Sequence, residues 1–172
     1  MRTSYAVGVD VGGTRIAAGL VERKGRIVKD AKRLTPKTGP FAVIDTIIDL
    51  VEEVTSGTHG SEVAGVGIGI PGQIDFSRQS VEFCTNLPLA GVDVRSLVMS
   101  RVKAEVTIDN DGNLAALGEA RYGAAKGARD FIMITVGTGV GGAKRASRGV
   151  ARQGTARFGP ALSSPSEYPA DG

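Results

Sequence analysis

The chain has 172 residues, of which 41% are apolar, with one cysteine (Cys84) and one histidine (His59). This length suits one ordinary domain, and the single cysteine and histidine exclude a disulfide framework and a Cys/His zinc site. The net charge of +3 comes from the residues after Gly142, which hold five basic and two acidic side chains. We therefore expect no nucleic-acid-binding face on the folded part. Neither a signal peptide nor a membrane span is visible, which makes the cytoplasm the default location.

The first part of the chain predicts three strands and a helix. Residues 5–10 form a short apolar run that ends on a carboxylate, and strands over 15–22 and 26–34 follow after tight turns. These short links require antiparallel neighbours, because a parallel crossover needs a dozen or more residues. Residues 40–56 predict a helix, since their apolar positions recur at three- and four-residue steps after Pro40.

The second part alternates between strands and helices. Strands are predicted over 63–70, 104–108 and 131–136, and helices over 94–102 and 110–122. This order predicts an α/β fold with one mixed sheet of five to six strands and helices on its faces. We find no internal repeat in the sequence. Residues 143–172 have few large apolar side chains and no regular period, so we expect them to be disordered.

The first candidate site is the turn Asp10-Val-Gly-Gly-Thr14. Two glycines and a hydroxyl in a hairpin turn offer backbone N–H groups and the Thr14 hydroxyl to phosphate oxygens. A carboxylate at this position, that of Asp10, would face a bound Mg²⁺ through water. An ordinary hairpin turn remains the alternative, because paired glycines are common there.

The second candidate is Gly137-Thr-Gly-Val-Gly-Gly142, which follows an apolar strand. Its backbone could wrap a polyphosphate, and the alternative is a flexible loop at the domain edge. It also fits the pattern G-x-G-x-x-G, as do residues 67–72. Neither stretch leads into a helix as a dinucleotide-binding site requires, and no Walker A loop is present.

The third candidate is Asp109-Asn110-Asp111, at the junction of a predicted strand and a helix. Such residues are often simple helix caps. A carboxylate in the first turn is also stabilised as the anion by the helix dipole, which suits a general base.

Four motifs occur in the order and spacing of the ROK family, and the chain resembles that family over residues 5–142. They are Asp10-Val-Gly-Gly-Thr14, Gly69-Ile-Pro-Gly-Gln-Ile-Asp75, Asn110-Asp-Gly-Asn-Leu-Ala-Ala-Leu-Gly-Glu119 and Thr135-Val-Gly-Thr-Gly-Val-Gly-Gly142. The family contains bacterial glucokinases, fructokinases, N-acetylated-sugar kinases and related repressors. The third motif and Asn-Leu-Pro-Leu at 86–89 look most like glucokinases. The resemblance implies an actin/hexokinase-like (ribonuclease H-like) lobe.

The resemblance also implies ATP and Mg²⁺ as cofactors and a sugar, glucose before others, as substrate. Asp10 would organise Mg-ATP, and two loops would hold the phosphates: Gly12, Gly13 and Thr14 in the first, and Gly137, Thr138, Gly139 and Gly141 in the second. On the sugar side, Gly72 would line the site and Asn110 and Asp111 would hold hydroxyls. Asp111 would take the proton from the 6-hydroxyl as it attacks the γ-phosphate.

After Gly142 the family pattern stops. Family members continue with a strand, a Gly-Glu-x-Gly-His segment, a Cys-rich zinc motif and a second lobe, and here residues 143–148 take the place of that strand. We therefore expect an ordered lobe over 1–142 and a truncated or frameshifted tail over 143–172. Low or absent activity is expected as well, because closure between two lobes excludes water from the phosphate. The homo-oligomers of the family are doubtful for this chain.

Three other functions compete with a sugar kinase. A family repressor would carry a winged helix-turn-helix before the first motif, where only nine residues precede Asp10. A non-catalytic nucleotide- or sugar-binding fragment would bind without phosphate transfer. A nicotinamide-dependent enzyme would rest on the two poor glycine patterns alone.

Overall fold

The computed structural model describes residues 4–58, 62–75, 77, 79–136, 140–146 and 149–151. Within these ranges the chain forms ten strands and three helices. In chain order they are β1 (Tyr5–Val11), β2 (Arg15–Glu22), β3 (Ile27–Leu34), α1 (Pro40–Thr55), β4 (Val63–Ile70), β5 (Gln73–Ile74), β6 (Val81–Phe83), α2 (Val94–Met99), β7 (Val106–Asn110), α3 (Asp111–Tyr122), β8 (Phe131–Val136), β9 (Val140–Ala146) and β10 (Gly149–Ala151). Every strand and helix predicted from the sequence is present, with ends that differ by a few residues.

The main sheet has five strands in the order β3-β2-β1-β4-β7. Strands β1, β2 and β3 pair antiparallel, as the short turns between them predict. Strands β4 and β7 then add parallel to β1, each after a helical crossover. The mixed sheet and its flanking helices confirm the predicted α/β architecture.

The hydrophobic core lies between one face of this sheet and the helices α1 and α2. Alternate residues of β1 point into it, and Val7 and Val9 are only 2% and 4% exposed. Helix α1 contributes its apolar stripe, including Ile47 and Ile48, which the three- and four-residue spacing predicts. Pro40 occupies the first turn, where its missing N–H costs no hydrogen bond.

Helix α3 lies on the opposite face of the sheet. The sheet offers small residues there, and at Gly69 a side chain would begin 3.4 Å from the Cα of Asp111. At its far end, the hydroxyl of Tyr122 donates to the carbonyl of Arg23 in the β2–β3 turn at 3.1 Å. The helix therefore crosses this face from the carboxyl end of β7 to the β2–β3 turn.

A second, three-stranded sheet follows α3, in the order β10-β9-β8. The main sheet thus has five of the predicted five to six strands, and β8 lies in the second sheet, where it pairs antiparallel with β9 across the three-residue link 137–139. The sequence shows no repeat, yet the backbone has one. Two antiparallel units of three strands, β1–β3 and β8–β10, each begin with a hairpin of glycine and threonine.

One further expectation needs correction. Residues 143–146 belong to β9 and residues 149–151 form β10, so regular structure continues beyond Gly142. Strand β9 forms without large apolar residues because backbone pairing with β8 supplies its hydrogen bonds. Its residue Ala143 is only 3% exposed.

The small β5–β6 hairpin is too short to show a strand pattern in the sequence. None of the helices in the described ranges is long and apolar enough to cross a membrane.

Candidate active site

The parallel strands bring the candidate residues to one edge of the sheet. Asp10 pairs with Gly69 across β1 and β4, and Gly69 pairs in turn with Asp109 on β7. Carboxyl ends of parallel strands are the usual place for ligands in such sheets. The sequence alone separates these residues by about a hundred positions, and the topology places them side by side.

A cleft of about 680 Å³ opens between this part of the sheet and α3. Asp10 and Asp111 line it from β1 and from the first turn of α3, and Thr135 at the end of β8 lines it as well. Asp30 on β3 adds a third carboxylate farther along the same cleft. The two predicted carboxylates and Thr135, which precedes the second glycine loop in the sequence, therefore share one cavity.

The charge of Asp10 responds to this neighbourhood. Partial burial raises the pKa of Asp10, and the nearby charge of Asp111 raises it further, although the side chain still reaches solvent. Two carboxylates that repel each other in one cleft form a donor set that fits a hard cation such as Mg²⁺. No described group of three or more acidic, histidine or cysteine side chains is suited to hold a metal. A cation here would therefore also need phosphate oxygens and water.

Residues that follow β3 donate hydrogen bonds to the backbone carbonyls of the first glycine loop. Thr35 donates its hydroxyl to the carbonyl of Gly12 at 2.7 Å and its N–H to the carbonyl of Thr14 at 2.9 Å. The ammonium of Lys37 donates to the carbonyl of Gly13 at 2.6 Å. In a trans peptide the N–H points opposite to the preceding C=O. The N–H groups of Gly13, Thr14 and Arg15 therefore point away from the 35–37 segment.

The loop approaches Asn86, in the segment that follows β6. A side chain at Gly13 would begin 3.3 Å from the Cβ of Asn86, while one at Gly12 would begin 2.9 Å from the carbonyl oxygen of Arg15. The loop residues themselves are not among those that line the 680 Å³ cleft. They continue β1 beyond Asp10, toward the segment that follows β6.

The start of α3 is fixed by a set of side-chain hydrogen bonds. Asn110 caps the helix by accepting from the N–H of Asn113 at 3.3 Å, and its amide donates to the carbonyl of Gly72 at 3.0 Å. Asp111 accepts from the N–H of Gly112 at 2.8 Å. The capping alternative is thus correct for Asn110, but the same residue also binds the Gly72 loop. Asp111 keeps its place in the first turn, facing the cleft.

Gly72 is required by the local backbone. Its φ is 147°, a region that side chains rarely adopt, and a Cβ there would overlap the carbonyl oxygen of Phe83. The thiol of Cys84 donates to the neighbouring carbonyl of Pro71 at 2.8 Å. The Gly72 loop is thereby held against β6 on one side and Asn110 on the other.

Asp109 and Asn113, of which only Asn113 is buried, form hydrogen bonds beside Asn110. Asp109 accepts from the N–H of Asn110 at 2.8 Å and from the side-chain amide of Asn113 at 3.1 Å. Asn113 is 5% exposed, and its Oδ1 finds no hydrogen-bond partner among the described residues. Buried acceptors are seldom left unpaired in proteins.

Some predicted residues lie outside these observations. Gly137, Thr138 and Gly139 fall outside the described residues, as do His59 and the tail 152–172. Gly141 belongs to β9 and pairs with Thr135, one of the residues of the cleft. Sequence reasoning missed Thr35 and Lys37, whose contacts to the first loop span 23 and 24 residues and form no local motif.

Comparisons with known proteins identify the family of this chain. Residues 6–156 match the profile of the ROK family. A glucokinase from Streptomyces coelicolor is 42% identical over 136 residues, which is 79% of this chain and 42% of that protein. The crystal structure of a ROK family glucokinase from Streptomyces griseus, in complex with glucose and AMPPNP, superposes with a TM-score of 0.81 at 38% identity, covering 87% of this chain and 47% of the other.

The likeness extends to a regulator: the xylose repressor of Bacillus subtilis is 32% identical over 142 residues, which is 81% of this chain and 37% of the repressor. The fold is the actin/hexokinase-like fold of the ROK sugar kinases. Within that class, the chain belongs to the ROK family. It spans less than half the length of each of these three proteins.

Proposed function

We propose that this chain holds ATP and a hexose, with glucose as the favoured sugar, for transfer of the γ-phosphate to the sugar 6-hydroxyl. The observation that carries the proposal is the shared cleft of Asp10, Asp111 and Thr135, each of which belongs to a different one of the four sequence motifs. The likeness to a glucokinase whose structure contains glucose and AMPPNP supports both ligands. Mg²⁺ bound near Asp10 would supply neutralisation of phosphate charge.

Asp111 is the proposed general base. Its carboxylate accepts the proton of the 6-hydroxyl while that oxygen attacks the γ-phosphorus, and ADP leaves with the electrons of the broken P–O bond. Asp111 lies in the first turn of α3, and the hydrogen bond from the N–H of Gly112 holds its carboxylate in place. Asn110, fixed between α3 and the Gly72 loop, is the proposed partner for sugar hydroxyls.

A family member that binds its ligands without transfer is the second candidate, and the likeness to the xylose repressor favours it. The described residues line the cleft from the main sheet, α3 and β8. We expect the 172-residue chain to bind Mg-ATP there, and phosphate transfer is measured separately from binding.

The test combines calorimetry with a coupled assay of ADP release. We expect Asp111→Asn to lower the rate of transfer to glucose by about 10²- to 10⁴-fold, the range for loss of a general base, with little change in the affinity for Mg-AMPPNP. Asp49→Asn, on the exposed surface of α1, is the matched control and should leave both unchanged.

Three outcomes separate the candidates. An unchanged rate in Asp111→Asn would remove Asp111 from the chemistry. Binding of Mg-AMPPNP and glucose with no detectable transfer would favour the non-catalytic candidate. Failure to bind either ligand would contradict the whole proposal.

A further inference from the structure

Residues 35–37, which follow β3, contact the first glycine loop. Thr35 is only 6% exposed, which is unusual for a polar residue directly after an exposed edge strand. Its hydroxyl and its N–H both go to the first glycine loop, to the carbonyls of Gly12 and Thr14. Lys37 binds the carbonyl between them, that of Gly13. Three successive carbonyls are thus bound by one short segment.

We infer that Thr35 and Lys37 are positioning residues for the first phosphate loop, and that Lys37 also adds positive charge beside it. The inference rests on the proposed function in its phosphate part. Binding the three carbonyls on one side leaves the following N–H groups directed to the other side, where they can donate to an anion together. A glycine loop without these bonds samples many conformations, and ordering it would reduce the affinity for phosphate.

The charge of Lys37 acts in the same direction. Its ammonium lies 2.6 Å from the carbonyl oxygen of Gly13, so it sits against the peptide whose N–H belongs to Thr14. The side chain is exposed, and its attraction to a polyphosphate is therefore screened by salt. Thr35 acts by geometry alone, which predicts a salt-independent effect.

The chain offers a matched control for each residue. Thr46 donates its hydroxyl to the carbonyl of Ala42 at 2.8 Å within α1, so Thr46→Val makes the same chemical change as Thr35→Val away from the loop. Lys29 donates to the carbonyl of Glu53 at 2.6 Å, so Lys29→Met matches Lys37→Met. Thr35→Ser keeps the hydroxyl and serves as the rescue variant.

The experiment uses the full chain and two measurements. Amide hydrogen exchange, resolved by residue, reports the order of Gly12, Gly13 and Thr14 without any ligand. Calorimetry with Mg-tripolyphosphate reports the affinity for the phosphate part of the nucleotide. We expect Thr35→Val to speed amide exchange in the loop. We also expect it to lower the affinity for Mg-tripolyphosphate by about three- to tenfold, which is the effect of one lost hydrogen bond. Thr35→Ser and Thr46→Val should stay near the unchanged chain in both measurements.

For Lys37→Met we expect weaker tripolyphosphate binding at low salt and a smaller difference at high salt, with Lys29→Met showing neither. The inference is overturned if Thr35→Val leaves loop exchange unchanged, or if the two controls act as strongly as the loop variants. It is also overturned if loop exchange speeds up while tripolyphosphate affinity stays the same. If the unchanged chain binds neither Mg-ATP nor tripolyphosphate, the proposed function is wrong, whereas loop exchange still decides whether Thr35 and Lys37 hold the loop.

Discussion

The strand pairs β1–β2 and β8–β9, which flank the two glycine loops, are both antiparallel but have very different surroundings. The first pair belongs to a sheet whose outer face is covered by α1, so that Val7 and Val9 are 2% and 4% exposed. The second pair presents Ile132 and Ile134 on the corresponding face, where they are 72% and 67% exposed. On the cleft side the two resemble each other, since Asp10 and Thr135 line the same cavity.

The unequal burial of the two outer faces distinguishes what ligand binding requires from what stability requires. Binding of a triphosphate needs both hairpins to face one cleft, and the described residues meet this condition for the strands of both. Stability needs the outer face of each hairpin to be buried, and among the described residues this holds only for the first. We therefore expect substitutions on the two outer faces to have unequal effects.

The largest expected effect compares two isoleucines on these faces. Ile16 on β2 is fully buried against α1, so Ile16→Ala should lower the free energy of unfolding by about 2–5 kcal/mol through lost burial and a cavity. Ile134→Ala removes the same atoms from an exposed site and should change it by no more than about 0.5 kcal/mol. Urea unfolding of both variants measures the difference. Similar losses would show that the face of β8 is covered in solution.

A smaller effect is expected at a glycine of each hairpin. In Gly12→Ala the new methyl group would begin 2.9 Å from the backbone oxygen of Arg15, so the hairpin must shift, at about 1–3 kcal/mol. In Gly142→Ala it would begin 3.3 Å from the oxygen of Met133, a contact that a few tenths of an ångström relieve. In thermal unfolding, the melting temperature of Gly12→Ala should lie well below that of Gly142→Ala. The reverse order would mean that the first hairpin is the more adaptable one.

The smallest expected effect concerns pH and the carboxylate that only the first hairpin carries. Because its pKa is raised in the folded chain above the ordinary 3.8, Asp10 resists ionisation there, and stability falls as the pH rises from about 3.8 through the folded pKa. Asp10→Asn lacks this loss, so its melting temperature should exceed that of the unchanged chain by an amount that grows over this window and then stays constant. Melting curves in metal-free buffer measure it, with Asp49→Asn as the control. A difference that shrinks with rising pH would contradict the assignment.

Much of the fold was accessible from the sequence because its signals are local. The turn glycines at 12–13 and the apolar spacing of 40–55 each predict an element that the structure contains. The position of β8 was not accessible, since an apolar strand carries no mark of the sheet that it joins. Strand β9 was missed beyond Gly142 because its residues pair through the backbone, which composition does not reveal.

The candidate site divides in the same way. Asp10 and Asp111 could be identified from motifs, and the topology then placed them in one cleft. The contacts of Thr35 and Lys37 to the first loop depend on how β3 ends beside β2, a tertiary relation with no pattern in the sequence. The packing of Gly72 against Phe83 likewise depends on the unpredicted β5–β6 hairpin.

The central claim is that the two hairpins and the start of α3 serve one triphosphate, and nuclear magnetic resonance tests it most directly. In a titration of the isotope-labelled chain with Mg-AMPPNP, the amide signals of Gly12, Gly13 and Thr14 should move together with those of Gly137, Gly139 and Gly141. The shifts of all these signals should fit one binding curve, and the Asp111→Asn variant should give the same curve. Signals that move in only one hairpin, or two curves with different midpoints, would contradict the claim.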